Sequence, residues 1–323
     1  MRGFILARLS QAVVVVAAVA TLTFGLARLA PGDPFLAFDD ARLTEQERAA
    51  MRKDWGYDRP IVEQYGRWIG NLATGDLGWS HSRSRPVSEV LGAAVPNTLL
   101  LTLPAVLFGL LGGVAFGTWK AVRRGKLVTR AADAATLAFV SVPDFIVAVA
   151  VLSIVGIELR WLPTSGMVDV VNHDSMSLVG RATDVATHMI LPVSTLAIII
   201  AAAVSRYHRA AMLGVLQSDH LRTARAKGAS ERRVIMRHAL PNALGPVIAI
   251  AGLLAPTVFG GAVFVEKVFG WPGMGLTVVD AVTGRDYALV QATVLIGTVL
   301  VVVSAIVADI VAVMVNPRTR IDL

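Results

Sequence analysis

Along this chain apolar residues do not alternate with polar ones; they gather in long runs. Six stretches, residues 7–29, 97–121, 134–157, 189–204, 246–264 and 289–315, are nearly continuous in apolar side chains. About 20 residues at 1.5 Å each cross about 30 Å of hydrocarbon, so each run predicts a transmembrane helix. Between the first two, residues 31–95 are polar. They carry "TEQERAAMRKDWGY" and "RPIVEQYGRWIGNL" with apolar positions at helical spacing, which predicts a small cap of short amphipathic helices outside the membrane. The expected fold class is all-α: a polytopic membrane protein with six transmembrane helices. Its expected parts are residues 1–93 (first helix and cap), 94–315 (a core containing a cytoplasmic segment at 206–245) and 316–323 (a tail).

The first run has Arg2 and Arg8 before it, and "ARLA" loosely resembles a cleavage site. A signal sequence has an apolar stretch of only about 7–15 residues, whereas this one continues to Leu29 before "PGDP" stops it. It reads as a retained helix.

Composition adds orientation. With 55% hydrophobic residues and a mean hydropathy of +0.64, the bilayer is the natural solvent. The net charge of +7 raises the question of nucleic acid, and placement removes it. Arg2 and Arg8, then Lys120, Arg123, Arg124, Lys126 and Arg130, then the arginines after the fourth run, then Arg318 and Arg320 all fall on one side if both termini are cytoplasmic. The intervening loops at 31–95 and 158–188 mix both signs. The positive-inside rule therefore predicts both ends on the cytoplasmic side of the membrane, with lipid and not nucleic acid as the surroundings.

Candidate chemistry is sparse. Cysteine is absent, which excludes disulfides and thiol-based metal or redox sites. The six histidines, His81, His173, His188, His208, His220 and His238, form no close pair with ligand spacing, so each reads as structural or solvated, and no metal is expected. No phosphate-binding G-x-x-x-x-G-K-[ST], G-x-S-x-G or H-E-x-x-H occurs, so neither ATP hydrolysis nor protease chemistry is expected of this chain, and no cofactor on it. Trp55, Trp68 and Trp79 suit either a binding surface or anchoring at the headgroup level.

Two polar features stand out. In "SVPDF", Asp144 lies near the middle of the third run, directly after Pro143. A carboxylate there costs about 2.5–3.5 kcal/mol unless it faces water or a partner. It either faces a translocation path or satisfies backbone groups freed by Pro143. Asp309 in the sixth run is expected to hydrogen-bond between helices. The second feature is "RTARAKGASERRVIMRHALPNALGPV", residues 222–247. Residues 205–228 read as a cytoplasmic extension of the fourth helix, with Met212, Leu213, Val215 and Leu216 on its apolar side, stopped by Gly228. Ser230 then caps a second short helix, Glu231 suits its positive end, and Val234, Ile235, Ala239 and Leu240 form a stripe until Pro241. Composition alone leaves two uses open, a partner surface or a helix on anionic lipid.

This segment resembles the cytoplasmic loop of inner-membrane permeases of binding-protein-dependent ABC importers, whose pattern is E-A-A-x-x-x-G followed after nine residues by I-x-L-P. Ala224, Gly228, Leu240 and Pro241 match, while Arg222, Thr223 and His238 depart. "LARLAPGDPF", "DRPIVEQYGRWI", "GDLGWS", "SVPDF", "WLPTSG", "VEKVFGWPGMG" and "RDYALVQ" resemble the dipeptide, oligopeptide and nickel branch, in order along the chain. The resemblance implies a type I ABC importer permease forming half of a pathway for short peptides, with nickel chelates as a lesser possibility. It implies ATPase coupling through Arg222, Thr223, Ala224, Arg225, Ala226, Lys227, Gly228, Ala229, Leu240 and Pro241, with Ala224, Ala226 and Ala229 small enough for a tightly packed partner. Pro143 and Asp144 become candidates for the path. Implied partners are a second homologous permease, two cytoplasmic ATPase subunits or one fused ATPase carrying ATP and Mg, and an extracytoplasmic solute-binding protein. The competing class is a stand-alone, ion-coupled secondary transporter of a small polar solute, which only Asp144 and Asp309 would serve.

Overall fold

The computed structural model describes residues 2–29, 58–254 and 262–315. The stretch "TEQERAAMRKDWGY" with Trp55, residues 255–261 of the fifth apolar run, and the tail with Arg318 and Arg320 lie outside the described residues. In chain order the elements are α1 (Arg2–Leu29), α2 (Ile61–Ala73), a small hairpin of β1 (Trp79–Ser80) and β2 (Arg85–Pro86), then α3 (Val87–Val122). There follow α4 (Leu127–Ser141), α5 (Asp144–Val151) with a π-helical continuation (Leu152–Glu158), α6 (Leu178–Leu216), α7 (Asp219–Ala226) and α8 (Glu231–Ala243). The chain closes with α9 (Gly245–Leu253), α10 (Ala262–Phe269), α11 (Met274–Thr283) and α12 (Tyr287–Val315).

Among the described residues, α1, α3, α6 and α12 are each long and apolar enough to cross a membrane. Three further pairs qualify only together and are bent: α4 with Asp144–Glu158 by 108°, α8 with α9 by 43°, and α10 with α11 by 80°. The third apolar run is therefore not the single helix expected. Pro143 disfavours helical backbone at its predecessor, and Val142 sits at φ −86, ψ 132, ending α4 before α5 departs in a new direction. Two helices also outrun their apolar stretches: α3 starts at Val87, and the 39-residue α6 starts behind Ser177, whose hydroxyl accepts the Gly180 N–H at 3.2 Å.

The chain divides into two compact units. In the unit formed by Met1–Asn97 and Gly273–Val302, Val87, Leu91, Ala281 and Leu289 make the core. Buried Asp286 caps α12 by accepting the Leu289 N–H at 3.1 Å. Its other oxygen accepts from Ser80 Oγ at 2.6 Å, Ser82 N at 3.0 Å and Ser82 Oγ at 2.9 Å. One carboxylate thus joins the "GDLGWS" and "RDYALVQ" regions, and Arg83 pairs with Asp280 nearby in sequence at 2.9 Å.

In the second unit, Thr98–Pro272 with Val303–Leu323, α3 meets α6 along Gly109, Gly113 and Gly117. A Cβ at Gly113 would stand 2.6 Å from Val204, and one at Gly117 would stand 2.8 Å from the Ser205 carbonyl. Absent side chains let two backbones touch, the usual device where lipid supplies no hydrophobic drive between helices. Farther along, "WLPTSG" and "VFGWPG" form one lock. Gly166 N–H donates to the Phe269 carbonyl at 2.8 Å, and Trp271 is fully buried in a core with Leu101, Ala148 and Leu191. Gly270 sits at φ +60 with Ser165 Oγ 2.6 Å from where a Cβ would be.

Candidate coupling site

The basic segment is two short helices built on a private core. α6 does not continue to Gly228 as its periodicity led one to expect; it ends at Leu216, and α7 restarts at Asp219 behind Ser218. Ser218 Oγ donates back to the Val215 carbonyl at 2.6 Å, and Asp219 suits the positive end of the new helix. α7 then closes in a Schellman turn. Ala229 N–H reaches the Ala224 carbonyl at 3.2 Å and Gly228 N–H reaches the Arg225 carbonyl at 2.9 Å, with Gly228 at φ +78. Ser230 stands at the N-cap of α8 without a side-chain cap bond. Glu231 instead takes Arg225 Nε at 2.7 Å, clamping α7 to α8 across the turn. Nor does Pro241 end α8, which continues to Ala243. The π-helical turn at Val234–Ala239 just before it widens the helix where a proline ring needs room.

Beneath the turn, Met212, Leu221, Val234, Ala239 and Ala243 are buried together with Ala121, and Ala224, Ala229 and Ile235 pack against them. Ala224 and Ala229, expected to offer small contacts to a partner, are partly buried and pack against this core. They are the paired apolar positions that a Schellman turn brings together. Arg222, Thr223, Arg225, Ala226, Lys227 and Gly228 are exposed, Leu240 is half-buried and Pro241 exposed. The free surface is a basic rim around a small, flat patch at Ala226–Gly228, with nothing within 4 Å of a Cβ at Gly228.

A group that sequence reading missed lies close by along the chain. Lys120, next to Ala121, is fully buried, and its ammonium meets Asp133 at 3.4 Å, Ser205 at 3.2 Å and Thr136 at 3.3 Å. Arg209 pairs with the same Asp133 at 3.1 Å. One carboxylate on α4 therefore binds cations from α3 and α6. Charge counting placed Lys120 among loop residues, and nothing in its spacing marks it as buried.

Asp144 differs from its expected setting. It begins α5 directly after the break, half-buried, and makes no hydrogen bond or ion pair among the described residues. Nor does it serve the backbone freed at the proline: the Pro143 carbonyl accepts Ile146 N–H at 2.9 Å, and Val142 N–H reaches Ala138 at 3.1 Å.

At the start of α6, Asp184 accepts from His173 Nδ1 at 2.6 Å and lies 3.1 Å from His188 Nδ1, and its Oδ2 also takes the Asp169 N–H at 3.0 Å. Two histidines read as isolated thus share one carboxylate. The Asp184 to His188 spacing of one helical turn was a visible signal; the loop contact of His173 was not. Among the described residues no group of acidic and histidine side chains is arranged to hold a metal.

Comparison with known proteins places this architecture. Residues 113–321 match the family described as binding-protein-dependent transport system inner membrane component, and residues 1–102 match the N-terminal region described for such membrane components. The chain is 36% identical to the oligopeptide transport system permease protein AppB of Bacillus subtilis, over 98% of this chain and 99% of that one. It is 37% identical to the di/tripeptide transport system permease protein DppB of Pseudomonas aeruginosa, over 99% of each. Its fold is similar to a chain of the MetNI methionine ABC transporter in inward-facing conformations, with a TM-score of 0.57 and 19% identity, covering 70% of this chain and 96% of that one. Bent helices, a glycine seam and a basic helical turn thus accompany a full-length match, and the chain belongs to the inner-membrane components of binding-protein-dependent transport systems, as a multi-pass plasma-membrane permease of the dipeptide and oligopeptide branch.

Proposed function

We propose that this permease forms half of a translocation pathway for short peptides and is driven by ATP hydrolysed on partner subunits. The carrying observation is the full-length likeness to oligopeptide and di/tripeptide permeases. The partners are a second homologous permease, two ATPase subunits or one fused ATPase, and an extracytoplasmic binding protein, with ATP and Mg held by the ATPases. Both termini face the cytoplasm and six crossings are made: four by the long helices, the third through the α4–α5 bend, the fifth through α9 and α10. Residues 1–93 carry the first helix and the cap, 94–315 the permease core, 316–323 the tail.

In this reading the exposed rim of α7 and α8, from Arg222 to Gly228 with Pro241, seats in an ATPase groove. Its fixed core passes the displacement into α6, and Asp144 lines the path. Positive charges on the rim set the register against acidic partner groups. Because no atom of the described residues stands within 4 Å of a Cβ at Gly228, the test is clean. Gly228→Ala keeps the rim flat and carries only the strain of positive φ, about 1–2 kcal/mol. Gly228→Leu adds bulk that only a docked partner would meet. Copurification of the ATPase and ATP-dependent uptake of labelled peptide into proteoliposomes are expected to fall much further for Leu than for Ala. Equal behaviour of both with the parent removes the docking assignment, and uptake driven by an ion gradient without ATP removes the importer reading.

A further inference from the structure

Helix α2 carries an apolar face that the described residues only partly cover. Ile61, Val62, Tyr65, Trp68, Ile69 and Leu72 fall, at about 100° per residue, within an arc of about 120°. The opposite side carries Glu63 and Arg67 as an ion pair at 3.2 Å, with Arg59 on the same carboxylate. Among the described residues, the middle of the stripe packs on α1. Tyr65 Oη and Thr21 Oγ1 are 2.7 Å apart, and Phe24 packs on Tyr65 at 5.2 Å and on Trp68 at 5.4 Å between centroids. One turn earlier, Ile61 is 56% and Val62 78% exposed.

The depth of the contact says what covers that end. Thr21 and Phe24 lie about 12 Å and 8 Å from the C-terminal end of α1, by the rise per residue. α1 is itself an apolar span with most of its surface uncovered by protein. A helix fixed there lies across the boundary between acyl chains and headgroups, the level at which tyrosine and tryptophan accumulate. The geometry points to α2 as an interfacial helix. Its Ile61–Val62 end inserts among lipid acyl chains beside α1, its charged side stays in water, and it holds the start of the loop region to the membrane surface. The occupant is the lipid surface. Which leaflet it is follows from the proposed orientation, whereas contact with lipid does not.

The chain contains no cysteine, so single labelling sites can be introduced in the full-length permease, reconstituted with its partner subunits in phosphatidylcholine–phosphatidylglycerol vesicles. Val62→Cys and Gly70→Cys would carry the same environment-sensitive fluorophore; Gly70 lies on the polar side, with no described atom within 4 Å of a Cβ. Lipid spin-labelled high on the acyl chain is expected to quench the Val62→Cys label severalfold more than the Gly70→Cys label, and aqueous iodide to do the reverse. Equal access of iodide to both labels overturns the proposal. So does protection of the Val62→Cys label from both quenchers, which would mean that residues 30–57 or a second protein cover it. Protection appearing only on addition of the binding protein would make the face a docking site for that protein instead. Uptake measured on the same vesicles separates the two readings: intact ATP-driven uptake with a water-exposed Val62→Cys label discards the lipid contact alone.

Discussion

Asp133 and Asp144 are two carboxylates in apolar helices on either side of one proline, and the chain treats them oppositely. Asp133 is enclosed by Lys120 from α3 and Arg209 from α6, so its charge is neutralised and three helix ends depend on it. Asp144 starts α5 with no partner among the described residues. The difference separates a charge that fastens helices from one left free to meet something else. Removing the first strands a buried ammonium, whereas removing the second strands nothing.

The largest effect is therefore expected for Asp133→Ala. Lys120 would keep two hydroxyls and the face of the Phe116 ring around a fully buried charge, and breaking such a pair costs about 3–5 kcal/mol, read as a lowered midpoint of thermal unfolding of the purified complex. Lys120→Met should cost less, since Asp133 is one-third exposed and keeps Arg209. Adding Lys120→Met to Asp133→Ala should restore part of the loss. If it does not, Asp133 fastens by packing and the contrast with Asp144 disappears.

An uncharged control comes next. Gly117→Val, which drives a side chain against the Ser205 carbonyl, is expected to cost about 1–3 kcal/mol by overpacking in the same unfolding measurement. It shows how much of the Asp133 loss is simply a disturbed junction of α3 with α6. Asp144→Asn should change stability by no more than about 0.5 kcal/mol while reducing ATP-driven peptide uptake at equal amounts of inserted protein. Full uptake with lowered stability would make Asp144 a structural residue after all.

The smallest effect concerns His81, where burial pushes the imidazole below its usual value and the nearby Asp286 charge opposes that shift. Its folded value lies below the unfolded one, so the stability it contributes is present above the ordinary histidine range and is lost as pH falls through the lowered value. His81→Gln should flatten that acid limb of the stability–pH curve and leave neutral pH almost unchanged. An acid limb identical in both proteins would assign the loss to other groups.

The sequence was most legible where one local rule acted alone. Apolar run length located α1 and α12 to within a few residues at most ends, and a lone glycine after a basic helix marked the positive φ at Gly228. Direction was less legible: hydropathy counts residues without recording where the backbone points, so the bend at Val142–Pro143 was absorbed into a straight span although the proline stood in view. Competing signals also misled. The stripe from Met212 to Leu216 implied one long helix through Gly228, while the Ser218–Asp219 start signal won locally. Ala224 and Ala229 stood out as small residues suited to any close contact, while their packing on the core within the chain follows from the Schellman turn, which spacing alone does not reveal. Asp286 with Ser80 and Ser82, and Lys120 with Asp133 and Arg209, join positions far apart in the chain or on different helices, and no spacing rule reads such pairs.

One proportion of α6 has a mechanical consequence. Pro192 interrupts the backbone bonding of a rod that begins at Leu178 beside the Asp184 histidine cluster and ends at Leu216, where the turn of α7 and α8 is attached. Counted by rise per residue, the arm toward Leu178 is about 21 Å and the arm toward Leu216 about 36 Å. If α6 swings as a rigid rod with its fulcrum at Pro192, a given excursion at the long arm arrives at the short arm reduced to about 0.6 of its size. Force would be multiplied in the inverse ratio, so a rod pivoting there would exchange travel at one end for leverage on the small, hydrogen-bonded cluster at the other.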